Sequence, residues 1–224
     1  PVSGWTSVTN AAAATVGDAR ETDAELRQRR QASLQNAGSG SLNALRADLL
    51  AIEGVTAAVC VDNDSDTSAV VEGITISAHG LAVVVYPSTM EDATKLLVAE
   101  TIYGHVLGGI RTNGTDASYT VTGGDGFPKT IRWDYADELT VNVAIVLSLR
   151  TGYLLADVQS TVEDTITDYF LALGVGDEVL RLEILTLIGA IEGIKAATLT
   201  LDGGGTDIEP DLTEIAILGT LGVT

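Results

Sequence analysis

Beyond residue 40 the apolar positions recur with two different periods, and each period predicts a kind of element. Leu42, Leu45, Leu49 and Ile52 fall at helical spacing, so a helix is expected from about Ser41, ended by Gly54 in a left-handed cap. Val55 to Val61 reads as a buried strand, and Asp62-Asn63-Asp64-Ser65-Asp66 as a polar loop. Leu81 to Val85 is an unbroken apolar run, which predicts a strand over Gly80 to Tyr86 covered on both faces. Pro87-Ser88 should open a helix, with Ser88 and Glu91 as a capping box and Leu96, Leu97, Ala99, Ile102 and Val106 as its apolar face. Gly108-Gly109 and Gly114 stop it.

The second half repeats this grammar. Ser118 to Thr122 and Thr130 to Tyr135 flank a Gly-rich turn and predict a hairpin. Leu139 to Leu149 alternates apolar and polar residues, the signature of a strand. Leu155, Val158, Val162, Ile166, Tyr169 and Leu173 share one face of a helix whose other side carries Asp157, Glu163, Asp164 and Asp168. A further helix is expected over about Glu178 to Ile191, a strand over Ile194 to Leu201, and an edge strand over Glu214 to Leu218. Upstream, Pro1 to Gly17 is small and weakly patterned and reads as an arm. Thr22 and Glu25 form a capping box for a helix from about Asp23 to Asn36.

One segment echoes another. Ala51-Ile52-Glu53-Gly54-Val55-Thr56-Ala57-Ala58-Val59 and Ala190-Ile191-Glu192-Gly193-Ile194-Lys195-Ala196-Ala197-Thr198 are identical at six of nine positions, 139 residues apart. Each ends a helix, caps it with Gly and enters a strand. The long strand follows the echo in the first half and precedes it in the second. The reading is therefore of similar building blocks, not of a clean duplication.

Composition narrows the function classes. In 224 residues, 31 Asp and Glu face 12 Lys and Arg, giving a formal charge of -19. A duplex or other polyphosphate would mostly be repelled, so nucleic acid is not an expected partner. With 46% apolar and 19% charged residues, the chain is not of disordered type. One Cys and two His cannot build a disulfide or a structural zinc site unaided. No run is long enough to span a bilayer, and Pro1 to Trp5 has no signal-peptide character.

Candidate chemistry is sparse. Asp62, Asp64 and Asp66 resemble the start of a calcium loop, but Thr67 and Gly73 stand where Gly and Glu are required. Gly123 to Gly126 and Gly203 to Gly205 lack the endings of phosphate loops and read as turns. His79 and His105 neighbour no nucleophile motif, and Cys60 sits mid-strand as a small hydrophobe. No catalytic, cofactor or metal residues are assigned. Ten scattered aromatics make a poor sugar platform, although a glycan-binding or glycan-hydrolysing role is the alternative reading. Arg20, Arg27, Arg29 and Arg30 stand out as a cationic stretch in an acidic chain, suited to an acidic protein partner.

Several stretches carry a resemblance. Gly17-Asp18-Ala19-Arg20-Glu21-Thr22-Asp23-Ala24-Glu25-Leu26-Arg27-Gln28-Arg29 resembles the E-T-D-x-E-L-R-x-R signature of baseplate J-like proteins, wedge components of contractile phage tails. Ile52 to Val59, Asp62-Asn63, Leu81 to Val85, Gly108 to Gly114, Leu173 to Asp177 and Gly193-Ile194 are similar to further family steps, in the family's order, over Gly17 to Thr224. The resemblance implies a structural protein of wedges that surround the tail hub with six-fold symmetry and repack when the sheath contracts. Such wedges also occur in prophages, tailocins and contractile injection systems. It further implies that a separate N-terminal domain would precede Pro1.

The resulting expectation is an α+β chain that is not an enzyme. An arm over 1–16 precedes a middle α/β domain over 17–134, closed by the hairpin, and a C-terminal α/β domain over 135–224. No cofactor and no membrane insertion are expected. The expected partners are other wedge and hub proteins and copies of itself, in the virion tail baseplate after assembly in the host cytoplasm. Arg20, Arg27, Arg29 and Arg30 are the candidate contact residues.

Overall fold

The computed structural model describes residues 41–224, residues 107 and 125 excepted. All of them belong to one compact unit. The predicted helix over residues 23–36 lies outside the described residues. The fold is α+β, with four helices and ten strands among the described residues.

Helix α1 (Leu42–Leu50) starts where the Ser41 hydroxyl accepts from Ala44 N–H at 3.1 Å, and it buries Ala44, Leu45 and Leu49. After Gly54, strand β1 (Ala57–Asn63) runs antiparallel to β4 (Gly80–Tyr86). Between them lies a small hairpin that the apolar pattern does not predict, β2 (Ala69–Val71) and β3 (Ile74–Ile76). Its two-residue turn holds Glu72 at φ 48° and Gly73 at φ 84°, the pair of positive angles that a tight hairpin of this hand needs. The continuous apolar run of β4 has its predicted cause. Leu81, Val83 and Val85 enter a core with Leu45, Leu49, Val98, Ile102 and Trp133. Ala82 and Val84 enter another, with Ile74, Ile76, Val175 and Ile215.

Helix α2 (Asp92–His105) begins four residues later than the expected capping box. Met90 N–H turns back to Ser88 O at 3.2 Å, so the chain is not yet helical there, and Glu91 is the cap residue without a side-chain bond. The buried face is Val98, Ala99 and Ile102, and Leu97, expected on it, is half exposed. Strands β5 (Arg111–Asn113), β6 (Ala117–Thr122) and β7 (Pro128–Tyr135) follow. β6 and β7 form the predicted hairpin, and β7 joins β4 in parallel at Val84 and Val85. β5 pairs in parallel with the first residues of β4.

The second sheet has the order β10-β8-β9, built from β8 (Asp137–Leu149), β9 (Ile194–Leu201) and β10 (Glu214–Val223). β8 alternates as expected, with Val141, Val143 and Ile145 buried. Helix α3 (Leu155–Ala172) packs on β10 and α4 (Arg181–Gly189) on β9. Helix α4 starts three residues after the expected point. Val179 and Ile208 exchange backbone bonds of 2.8 and 3.2 Å, which holds the preceding segment extended. β10 runs beyond the predicted Leu218 across a register shift. There the Asn142 carboxamide oxygen accepts from Thr220 N–H at 3.0 Å and from its hydroxyl at 2.6 Å. A side chain thus replaces the ladder bond that the irregularity removes.

The echo has a structural meaning. Gly54 and Gly193 share nearly the same angle, φ 94° and 93°. β1 lies antiparallel to β4, which lies parallel to β7. β9 lies antiparallel to β8, which lies parallel to β10. The two sheets therefore share a three-strand pattern, reached by different chain orders.

Candidate interaction surface

Arg20, Arg27, Arg29 and Arg30 lie outside the described residues. Among the eight basic residues that are described, three are committed to the fold. Arg46 Nε donates to Ala58 O at 2.7 Å, and Arg150 Nε to Ile194 O at 3.2 Å. Arg181 Nη1 and Nη2 donate to Gly205 O and Leu199 O, both at 2.6 Å, so this guanidinium pins the Gly203–Gly205 turn to β9. Lys95 lies 3.5 Å from Asp92 on the surface of α2.

Three others converge. Arg111 on β5 and Lys129 and Arg132 on β7 line one cleft of about 350 Å³ at the C-terminal end of α2. Tyr103, Val106, Ile110 and Ile131 give it an apolar wall. Lys129 Nζ stands 5.3 Å from the centroid of the Tyr103 ring, a cation–π distance that holds the ammonium over the wall. Lys129 and Arg132 follow Arg111 by 18 and 21 positions, which hides this cluster from any reading of local charge. The signal was present only as a Gly-rich turn followed by a hairpin.

The other candidates form no catalytic set. His79 Nε2 meets Asp66 Oδ1 at 2.9 Å on the surface. His105 closes α2, with Nδ1 3.0 Å from Thr101 O and Nε2 3.1 Å from Asp48 Oδ2, tying α2 to α1. The Asp62–Asp66 loop is organised by Asn63. The buried Asn63 amide donates to Thr67 O, Ile76 O and Ser77 O at 2.8 to 3.1 Å, and its carbonyl accepts from Ser65. Among the described residues no three His, Cys, Asp or Glu cluster as a metal site would. Gly126 N–H bonds Gly123 O at 2.9 Å, a turn as read. Burial pushes the Cys60 thiol up to about 12, against the lowering effect of Arg46, which favours the protonated thiol at neutral pH. Tyr86 is raised by its 2.8 Å bond to Glu138, a tie between β4 and β8. No described helix is long and apolar enough to cross a membrane.

Comparison with known proteins relates the chain to a family and to solved structures. Residues 141–224, which hold nearly all of the second sheet and its helices, match the family model described as Baseplate J-like protein C-terminal domain. A chain in the cryo-EM structure of the anti-feeding prophage (AFP) baseplate, 6-fold symmetrised, is similar at 13% identity and a TM-score of 0.47, over 89% of this chain. The present chain spans 42% of the length of that one. None of the curated proteins matches.

Proposed function

We propose, from the baseplate J-like C-terminal domain that residues 141–224 carry, that the chain is a structural component of a contractile tail baseplate. The family match is the observation that carries the reading. The side chains support it, since among the described residues both histidines and Arg46, Arg150 and Arg181 make structural bonds and Gly123 to Gly126 form a turn. Function on this reading resides in surfaces, not in a reaction.

The finer reading is a wedge subunit that contacts other wedge and hub proteins and further copies of itself. It would be assembled in the host cytoplasm and retained in the finished particle. The division proposed is an arm over 1–16, a middle domain over 17–134 and a C-terminal domain over 135–224. The two larger sheets share no strand, although Val175 and Ile215 of the second part pack in one core with Ile74, Ile76, Ala82 and Val84 of the first. Arg20, Arg27, Arg29 and Arg30 are proposed as one contact surface. Co-expression with the products of neighbouring genes, followed by electron microscopy, tests the reading. The expected result is a ring or wedge complex that the Glu variants of Arg27, Arg29 and Arg30 weaken without unfolding the chain. Specific binding on a glycan array with no assembly would replace the proposal by a sugar-directed role.

A further inference from the structure

The basic cleft is also a gap in a sheet. β5 and β7 lie on the same edge of β4, β5 beside Gly80 to Ala82 and β7 beside Val84 and Val85. Beyond that point β7 leans away to pair with β6. No backbone ladder joins β5 to β7 among the described residues; Arg132 N–H instead donates to the Thr112 hydroxyl at 3.0 Å. That bond fixes which way the edge points. Arg132 turns its backbone toward β5, and alternate residues of an antiparallel strand share a direction, so Thr130 presents its N–H and C=O the same way. Thr130 lines the cleft and is exposed.

We propose that this cleft seats an extended acidic segment of a partner protein, which adds as a strand along β7 and sets its alternate carboxylates on the face of Arg111 and Arg132, opposite the face on which Lys129 covers Tyr103. An unpaired edge supplies sequence-independent backbone bonds, and flanking side chains supply selectivity. Charge selects the occupant. Three of the chain's 12 basic residues line this one concavity, in a molecule of charge -19. Tyr103, Val106 and Ile110 would take the apolar side chains that alternate with the carboxylates. The inference concerns the isolated chain and stands or falls apart from the baseplate reading.

The test uses the full chain and a fluorescent synthetic peptide of five Glu-Val repeats, with a Lys-Val peptide as control. The Glu-Val peptide should bind, weaken as salt screens the cations, and slow amide exchange at Thr130. Arg111→Glu with Arg132→Glu should weaken binding at least tenfold. Thr130→Pro, which removes the edge N–H and no charge, should weaken it at least fivefold. If that variant does not fold, exchange at Thr130 in the parent chain decides the matter. Equal binding of the Lys-Val peptide, unchanged binding by folded Thr130→Pro, or full displacement by inorganic phosphate with the same protection would each overturn the proposal. The last would indicate a small-anion site instead.

Discussion

Gly54 and Gly193 offer a matched pair of substitutions, because the backbone is the same and the surroundings differ. At φ 94° and 93°, an L side chain is disfavoured in both, by about 1–2 kcal/mol on the scale of left-handed conformations. Replacing Gly by Ala also removes freedom from the unfolded chain, which offsets roughly 0.4–1 kcal/mol of that loss. A methyl at Gly54 would lie 3.8 Å from Thr94 Cγ2, an ordinary contact. At Gly193 it would lie 2.4 Å from Tyr153 Cδ1 and 2.7 Å from its Cγ, so the ring must move. The ring is tethered, since its hydroxyl donates to Glu192 Oε1 at 2.9 Å, and losing such a bond adds about 0.5–1.5 kcal/mol. Gly54→Ala should therefore cost about 1 kcal/mol, and Gly193→Ala about 2–3 kcal/mol, once the displaced ring is included. Urea denaturation followed by far-ultraviolet circular dichroism measures both. In a Tyr153→Ala background, Gly193→Ala should cost only about 1 kcal/mol, as Gly54→Ala does. Equal losses at the two glycines, or an undiminished Gly193→Ala loss in that background, would refute the account of the two caps.

Three further outcomes follow from buried groups. Trp133 is fully buried and its indole N–H has no partner; Trp133→Phe should cost only about 1–2 kcal/mol, against roughly 3–5 for Trp133→Ala, by thermal unfolding. Asn63→Asp sets a carboxylate against three carbonyl oxygens. It should destabilise by more than about 2 kcal/mol at pH 7 and recover part of that below pH 4, where the carboxyl is neutral. The Cys60 thiol, raised from 9.0 to about 12, should react with iodoacetamide at pH 8.5 on the order of a thousandfold more slowly than in unfolded chain. The sign of its linkage is fixed: the folded pKa is the higher, so stability present below pH 9 is lost as pH rises from 9 to 12. Cys60→Ala should flatten that decline.

What sequence could reveal depended on how far each signal reaches. The alternation in β8 and the five-residue apolar run in β4 are local, and both strands lie where periodicity puts them. The helix starts were less legible, because a backbone contact from elsewhere decides them. Ile208 holds Val179 extended, and Ser88 draws Met90 into a turn, whatever capping residues are nearby. The β2–β3 hairpin has three residues a side, too short for alternation to register, and its Glu-Gly turn was the only mark it left. The cleft is the extreme case. Arg111 and Lys129 belong to different strands, and only the splaying of β5 from β7 makes them neighbours. The echo, by contrast, was correctly read as shared units without shared order, since a Gly cap and an entering strand are fixed within nine residues.

The central claim is that the chain belongs to the baseplate of a contractile particle. Immunogold labelling of purified particles with an antibody raised against the chain tests it most directly. Gold confined to the baseplate end of the tail, with the chain found by mass spectrometry in the same particles, is the predicted result. Purified intact tails that contain none of it, or label spread along the sheath, would contradict the account.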